Sequence, residues 1–164
     1  MNLYARAYAE ESVALARDSG DSRELAAAMT NLAQIHRSTG KLDLAEPLYA
    51  SAVDLVRSIG DREGVAICLL NLAMVSIGRG AREPVREMLT EVVDIVVDID
   101  SRPLGLNALE VSAGYGASRQ EWERAVRLYG IAQAQALETG LQRDPTDEAF
   151  LAPLIDRARH APGR

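Results

Sequence analysis

The sequence predicts an all-α solenoid of antiparallel helix pairs. A block of 40 residues recurs along the chain, and the apolar residues inside each block follow helical spacing. The composition agrees with this prediction, since one Trp, one Phe and five Tyr leave mainly alanine and leucine to fill the interior. Small aliphatic side chains suit closely packed helices better than a β-sandwich or barrel.

The repeat is clearest in the first two blocks. Residues 21–60 and 61–100 align without gaps at ten identical positions. These positions are Asp21/Asp61, Ala26/Ala66, Asn31/Asn71, Leu32/Leu72, Ala33/Ala73, Gly40/Gly80, Val53/Val93, Asp54/Asp94, Val56/Val96 and Ile59/Ile99. Identity at fixed spacing indicates a duplicated structural unit, because stacked units present equivalent residues to their neighbours.

The same period divides the chain into one array over residues 1–164. It predicts two-helix repeats at 21–60, 61–100 and 101–140, the last of them degenerate. Residues 1–20 align with the second-helix columns and therefore predict a half repeat that has only the second helix. Residues 141–164 predict a C-terminal capping helix, which such arrays need in order to cover the last exposed core.

Capping residues predict where the first helix of each repeat begins. Asp21, with Glu24 three residues later, predicts an N-cap, and Asp61 and Ser101 stand in the same column. Pro103 falls in the first turn, where its missing N–H is harmless.

The segment 92–99, VVDIVVDI, is β-branched and by propensity alone fits a strand. Its register with the other repeats predicts a helix instead. The carboxylates of Asp94, Asp98 and Asp100 are interpreted as a solvated face, with a surface for a basic partner as the alternative.

Residues on both helices of a unit resemble the tetratricopeptide repeat. The first unit has Leu32 and Ala33 on its first helix, and Ala45, Tyr49 and Ala52 on its second. The run NLAQIHRSTGKLDLAEPLYASAV is most similar to the long-repeat class of that family, found in kinesin light chains and in large bacterial LuxR-type and MalT-like regulators. The resemblance covers residues 1–140 and implies a right-handed superhelix with a concave side lined by the first helices.

The resemblance also implies a function. It indicates a non-catalytic module that binds a protein or peptide, as the scaffold or sensor region of a larger regulatory or signalling protein. The alternative is a peptide-sensing receptor whose superhelix changes conformation on ligand binding. The implied peptide-binding residues of the concave face are Asn31, Gln34, Ile67, Leu70, Asn71, Met74, Asn107 and Glu110.

The most specific hypothesis is that two asparagines bind the backbone of the peptide. The carboxamides of Asn31 and Asn71 can donate to and accept from an extended peptide backbone at once, and linking adjacent helices is the alternative role. The members of the family that bind acidic C-terminal tails need Lys or Arg on these inner columns. Here the columns hold residues such as Ala27 and Thr30, so binding of such tails is not expected.

Charge and hydropathy exclude other functions. The net charge of −6 does not favour binding to nucleic acid or to anionic membranes, which attract positively charged surfaces. The basic residues near the C-terminus are interpreted as a solvated tail; they are Arg157, Arg159, His160 and Arg164. The chain shows no signal peptide and no membrane-spanning run, which predicts a cytoplasmic protein.

His36 and Cys68 are the residues that could suggest nucleophilic or metal chemistry. Both fall in packing columns of the repeat, and a lone cysteine cannot form an intrachain disulfide. The sequence has no glycine-rich phosphate loop and no nucleophile motif. We therefore expect no catalytic residue, no metal and no cofactor.

The last segment is predicted to form a helix after Asp144 and to kink or break near residue 149 because of Pro153. The apolar residues on one face of that helix are Phe150, Leu151, Leu154, Ile155 and Ala158.

The first segment lacks a first-helix mate within the sequence. This leaves an apolar strip of Leu3, Tyr4, Tyr8 and Leu15. Such a strip indicates either a longer array or a homodimer through the N-terminal helix.

Overall fold

The computed structural model describes residues 3–81 and 83–161 and contains α-helices but no strand in those ranges. This confirms the predicted all-α class. The helices are α1 (Leu3–Ser19), α2 (Ser22–Ser38), α3 (Leu42–Ser58), α4 (Arg62–Gly78), α5 (Glu83–Ile99), α6 (Arg102–Ser118), α7 (Trp122–Thr139) and α8 (Pro145–Arg159). None of these helices has the length and apolar character needed to cross a membrane.

Each helix from α1 to α7 packs against the next one along the chain, which gives a tetratricopeptide-like solenoid. The pairs α2–α3, α4–α5 and α6–α7 lie within residues 21–60, 61–100 and 101–140. Alanines at equivalent positions, such as Ala33, Ala73 and Ala113, are fully buried. Their small side chains let neighbouring helices approach closely, so one core runs through the stack.

The predicted N-caps form at α2 and α4. The Asp21 carboxylate accepts hydrogen bonds from the backbone N–H groups of Arg23 and Glu24, at 2.8 and 3.1 Å. Asp61 accepts one from the N–H of Gly64 at 2.9 Å. Ser101 occupies the N-cap position of α6, but its side chain makes no capping hydrogen bond.

The β-branched segment 92–99 is helical as predicted, because its apolar residues pack on α4 and α6 at helical spacing. Val92 and Ile95 lie in the core on the buried face of α5. Tertiary packing therefore overrides local strand propensity here.

Helix α8 begins where it was predicted to begin, since the Asp144 side chain accepts a hydrogen bond from the Thr146 N–H at 2.7 Å. The expected break near residue 149 is wrong, because α8 continues through Pro153 to Arg159. Pro153 and Ala149 both lie on the exposed side of the helix. The carbonyl of Ala149, which loses its hydrogen bond to the proline, can therefore be solvated by water.

Candidate functional site

Six of the eight predicted binding residues line one cavity between α4, α6 and α8. They are Ile67, Leu70, Asn71, Met74, Asn107 and Glu110. Asn31 and Gln34 lie outside this lining, on α2. The other wall of the cavity comes from Arg143 and from Asp147, Phe150 and Leu151 of α8.

Helix α8 therefore covers part of the concave face and does more than close the end of the array. Leu151 is buried against Ala113 of α6, and Phe150 packs beside it. Gly114 makes this approach possible, because a Cβ at that position would lie 3.0 Å from the Phe150 ring. The absence of a side chain at Gly114 lets the ring rest against the helix backbone.

A buried ion pair joins α8 to the first repeat. The Arg37 guanidinium of α2 donates to the Asp147 carboxylate at 2.6 Å, and only 6% of the Arg37 side chain is exposed. The same guanidinium lies 3.0 Å from the thioether sulfur of Met74 on α4. Arg37 thus bridges α2, α4 and α8.

A second buried ion pair anchors the segment that leads into α8. Arg143 pairs with Glu110 of α6, whose side chain is buried, and also with Glu148 of α8. The neighbouring Glu110 carboxylate raises the pKa of Arg143, so the guanidinium remains charged across the ordinary pH range. The guanidinium of Arg143 also lies over the Tyr129 ring, 5.5 Å from its centroid.

The cavity that remains under α8 measures about 50 Å³. A site of that size holds a few water molecules, since one water needs roughly 10–15 Å³ by the same measure. It cannot hold a peptide. A peptide can reach Leu70 and Met74 only if α8 leaves the face, whereas Glu110 also lines a larger cavity of about 990 Å³ beside α6 and α7.

The remainder of the concave face is open. Asn31 and Ile67 are exposed, and Gln34 and Asn71 are half-buried. The Asn71 carboxamide donates to the carbonyl of Ile67 on its own helix at 3.0 Å, so it does not link two helices in this structure.

One expectation for this face needs correction. Leu70, Met74 and Glu110 were expected to be exposed but are buried, because α8 and the segment before it pack over that part of the face. Arg37 was not among the expected site residues. Its position one turn beyond Gln34 continues the inner stripe of α2, and this spacing could have identified it.

His36 and Cys68 are both buried at packing positions. Burial raises the pKa of the Cys68 thiol, whose sulfur lies 3.7 Å from the Thr30 hydroxyl. A protonated, buried thiol is a poor nucleophile. Tyr49 is also fully buried, and burial raises its pKa to about 12, an effect that nearby Arg37 partly opposes.

The apolar strip of α1 is open to solvent in this chain. Tyr4, Tyr8 and Leu15 are exposed, and the side chain of Leu3 lies outside the described part of the structure. On the opposite face, Ala9 and Val13 pack against α2. A homodimer through this strip remains a prediction.

The stacked helix pairs and their concave face define a helical-repeat protein of the kind that binds other proteins. A family model described as tetratricopeptide repeat matches residues 5–58 and 24–96. The chain belongs to the tetratricopeptide repeat family, whose repeats generally mediate protein–protein interaction. A comparison with curated proteins finds no match for the chain.

Proposed function

We propose that the chain is the interaction region of a larger regulatory or signalling protein and that its concave face binds a peptide segment of a partner. The observation that carries the proposal is the way α8 sits on this face. A segment of the chain already docks there through apolar side chains and two ion pairs in which one partner, Arg37 or Glu110, is buried. The face therefore has the chemistry of a peptide-binding groove.

The uncovered part of the face offers the contacts for a partner. Asn31 and Gln34 lie on α2, and Ile67 and Asn71 lie on α4, among the residues of this face that α8 leaves at least partly accessible. Carboxamides can fix an extended backbone by donating and accepting together, while Ile67 supplies an apolar anchor. The hydrogen bond from Asn71 to Ile67 is a local one that a peptide backbone can replace.

A receptor function is the second candidate, and the tie between Arg37 and Asp147 favours it. This ion pair joins residues 110 positions apart, at opposite ends of the array. A ligand segment that brought its own carboxylate to Arg37 and its own apolar residues to Met74 could take the place of α8. The first repeat would then lose its link to the last helix, and the superhelix could change its pitch.

Affinity capture from the native lysate with mass spectrometry identifies the partner, and titration calorimetry of the captured partner then tests the face. We expect the double change Asn31→Ala and Asn71→Ala to weaken binding about tenfold, the loss typical of an interface residue that contributes about 1.4 kcal/mol. The thermal unfolding midpoint should stay that of the wild type, because both residues lie at the surface.

Thr90→Ala is the matched control. Thr90 makes the same kind of hydrogen bond to the carbonyl four residues earlier, at 2.9 Å to Arg86, but lies exposed on the outer helix α5. Wild-type affinity for the double variant would show that the partner binds elsewhere.

A further inference from the structure

A groove lies between the C-terminal halves of α5 and α7. It encloses about 580 Å³ and is lined by residues of α5, α6 and α7 and by Leu141. Its apolar lining includes Val96, Val97, Leu106 and Leu109. A volume of that size is within the range of protein ligand sites, roughly 300–1,000 Å³.

Comparison of the repeats shows that α5, which forms one wall of the groove, is less covered than the equivalent helices α1 and α3. Val13, Val53 and Val93 stand in one column at intervals of 40 residues. The first two are 7% and 4% exposed, but Val93 is 48% exposed. The third repeat does not cover α5 in the way that the second repeat covers α3.

The reason lies in what α7 packs against. Leu128 of α7 contacts Leu151 and Ile155 of α8, and Val126 packs in a cluster with Ala158 of α8. The apolar face of α7 is thus directed at α8 and not at α5. After Ala132, residues 133–139 contribute no buried side chain, and Leu137 is almost fully exposed.

The rim of the groove is acidic. Asp94 lies on α5 three residues before Val97, Asp100 follows the end of α5, and Glu138 lies on α7. Of these, Asp100 and Glu138 line the groove. These three carboxylates form no ion pair with any cation in residues 3–81 or 83–161. Asp98 is paired with Arg62, and Arg102 is the cation on the lining.

We propose that this groove between α5 and α7 binds an amphipathic helix of a partner protein, with an apolar stripe flanked by lysine or arginine residues. The apolar stripe would cover Val97 and Leu141 in the groove and Val93 one turn earlier on α5, of which Val93 stands in a column that is buried in the other repeats. The basic flanks would meet Asp94, Asp100 and Glu138, so that opposite charges surround the apolar contact. None of the residues that line this groove is among those proposed to bind a peptide on the concave face.

A displayed library of helical 14-residue peptides, unbiased in charge, tests this proposal on the full chain. Peptides are selected on the wild type and counter-selected on Val97→Lys, which places a cation at the centre of the groove. Val97 is 73% exposed, so this change does not disturb the core. Leu44→Lys is the matched control, since Leu44 is 45% exposed and lies on α3, which does not line the groove.

We expect enriched peptides with apolar residues at helical spacing and basic residues beside them. Their affinity, measured by fluorescence anisotropy, should fall about tenfold or more with Val97→Lys and less than about twofold with Leu44→Lys. The proposal is overturned if no such peptide is enriched, if the enriched peptides lack basic flanks, or if both variants bind them equally.

Discussion

The two parts of the concave face differ although the same repeat columns build both. Around α2 the inner residues Asn31 and Gln34 remain accessible, whereas around α6 the equivalent surface is covered by α8. Glu110 is buried there and holds Arg143 in place. The difference shows that a repeat column determines which way a residue faces, and that a distant segment determines whether the residue is open to a partner.

The largest expected effect comes from removing the cover. A chain that ends after Gly140 loses Leu151, Ile155 and their half-buried neighbours Phe150 and Leu154. Each such side chain contributes about 1.5–3 kcal/mol when buried, so the free energy of unfolding should fall by more than about 5 kcal/mol. That loss is comparable to the whole stability of a domain.

We therefore expect the truncated chain to aggregate or to lose its cooperative transition in urea. Addition of a synthetic peptide of residues 141–164 should restore part of the stability. A soluble truncated chain with the urea midpoint of the full chain would show that α8 does not stabilise the covered part of the face.

A smaller effect is expected from the ion pair between Arg37 and Asp147, which lies between the covered and the open part of the concave face. A double-mutant cycle with Arg37→Gln and Asp147→Asn should give a coupling energy of about 2 kcal/mol, because the pair is largely desolvated. The matched control is Arg127–Glu123, which has the same 2.6 Å separation but is exposed on α7. Its coupling energy should be below about 0.5 kcal/mol.

The coupling energies are measured by urea unfolding of all the variants. Equal values for the two pairs would contradict the distinction between the covered and the open part of the concave face. They would mean that water reaches Arg37 as freely as it reaches Arg127.

The smallest expected effect concerns Tyr49, which is close enough to Arg37 and Asp147 for both charges to influence its pKa. Burial raises that pKa to about 12, whereas an unfolded tyrosine has a pKa of about 10. The unfolded chain therefore releases the phenol proton first, and the stability contributed by the neutral phenol is lost as pH rises from 10 to 12. The expected loss at pH 11 is about 1.4 kcal/mol.

Tyr49→Phe should remove this part of the pH dependence, measured as the difference in urea stability between pH 9 and pH 11. Tyr8→Phe, at an exposed site on α1, serves as the control and should keep the wild-type difference. If Tyr49→Phe leaves the difference in stability between pH 9 and pH 11 as unchanged as Tyr8→Phe does, the Tyr49 phenol is accessible to water in the folded chain.

Most of the fold could be predicted from the sequence because the repeat is a local pattern. The period, the capping aspartates and the columns of alanine each act within one helix or between adjacent helices. The segment 92–99 shows the strength of this information, since its register predicts a helix against its propensity. The start of α8 was predictable for the same reason, from the cap at Asp144.

The candidate site was less predictable because α8 meets it across a large separation in sequence. Nothing in the columns of Leu70 and Met74 indicates that Phe150 and Leu151 lie over them. Gly114 permits that contact, yet in the sequence it looks like a sign of a degenerate repeat. Val93 is exposed for a similar reason, since the apolar face of α7 packs against α8.

The ion pair between Arg37 and Asp147 also has a consequence for the order of assembly. A linear array of repeats can form from any point, because each unit needs only its neighbours. Helix α8 packs mainly on its chain neighbours α6 and α7, but it also meets Arg37 from the first repeat. Contacts between distant parts of a chain form only after the entropy of closing the long loop has been overcome. We therefore expect the ion pair between Arg37 and Asp147 to form after the contacts of α8 with α6 and α7, so that the cover over the first repeats is completed last.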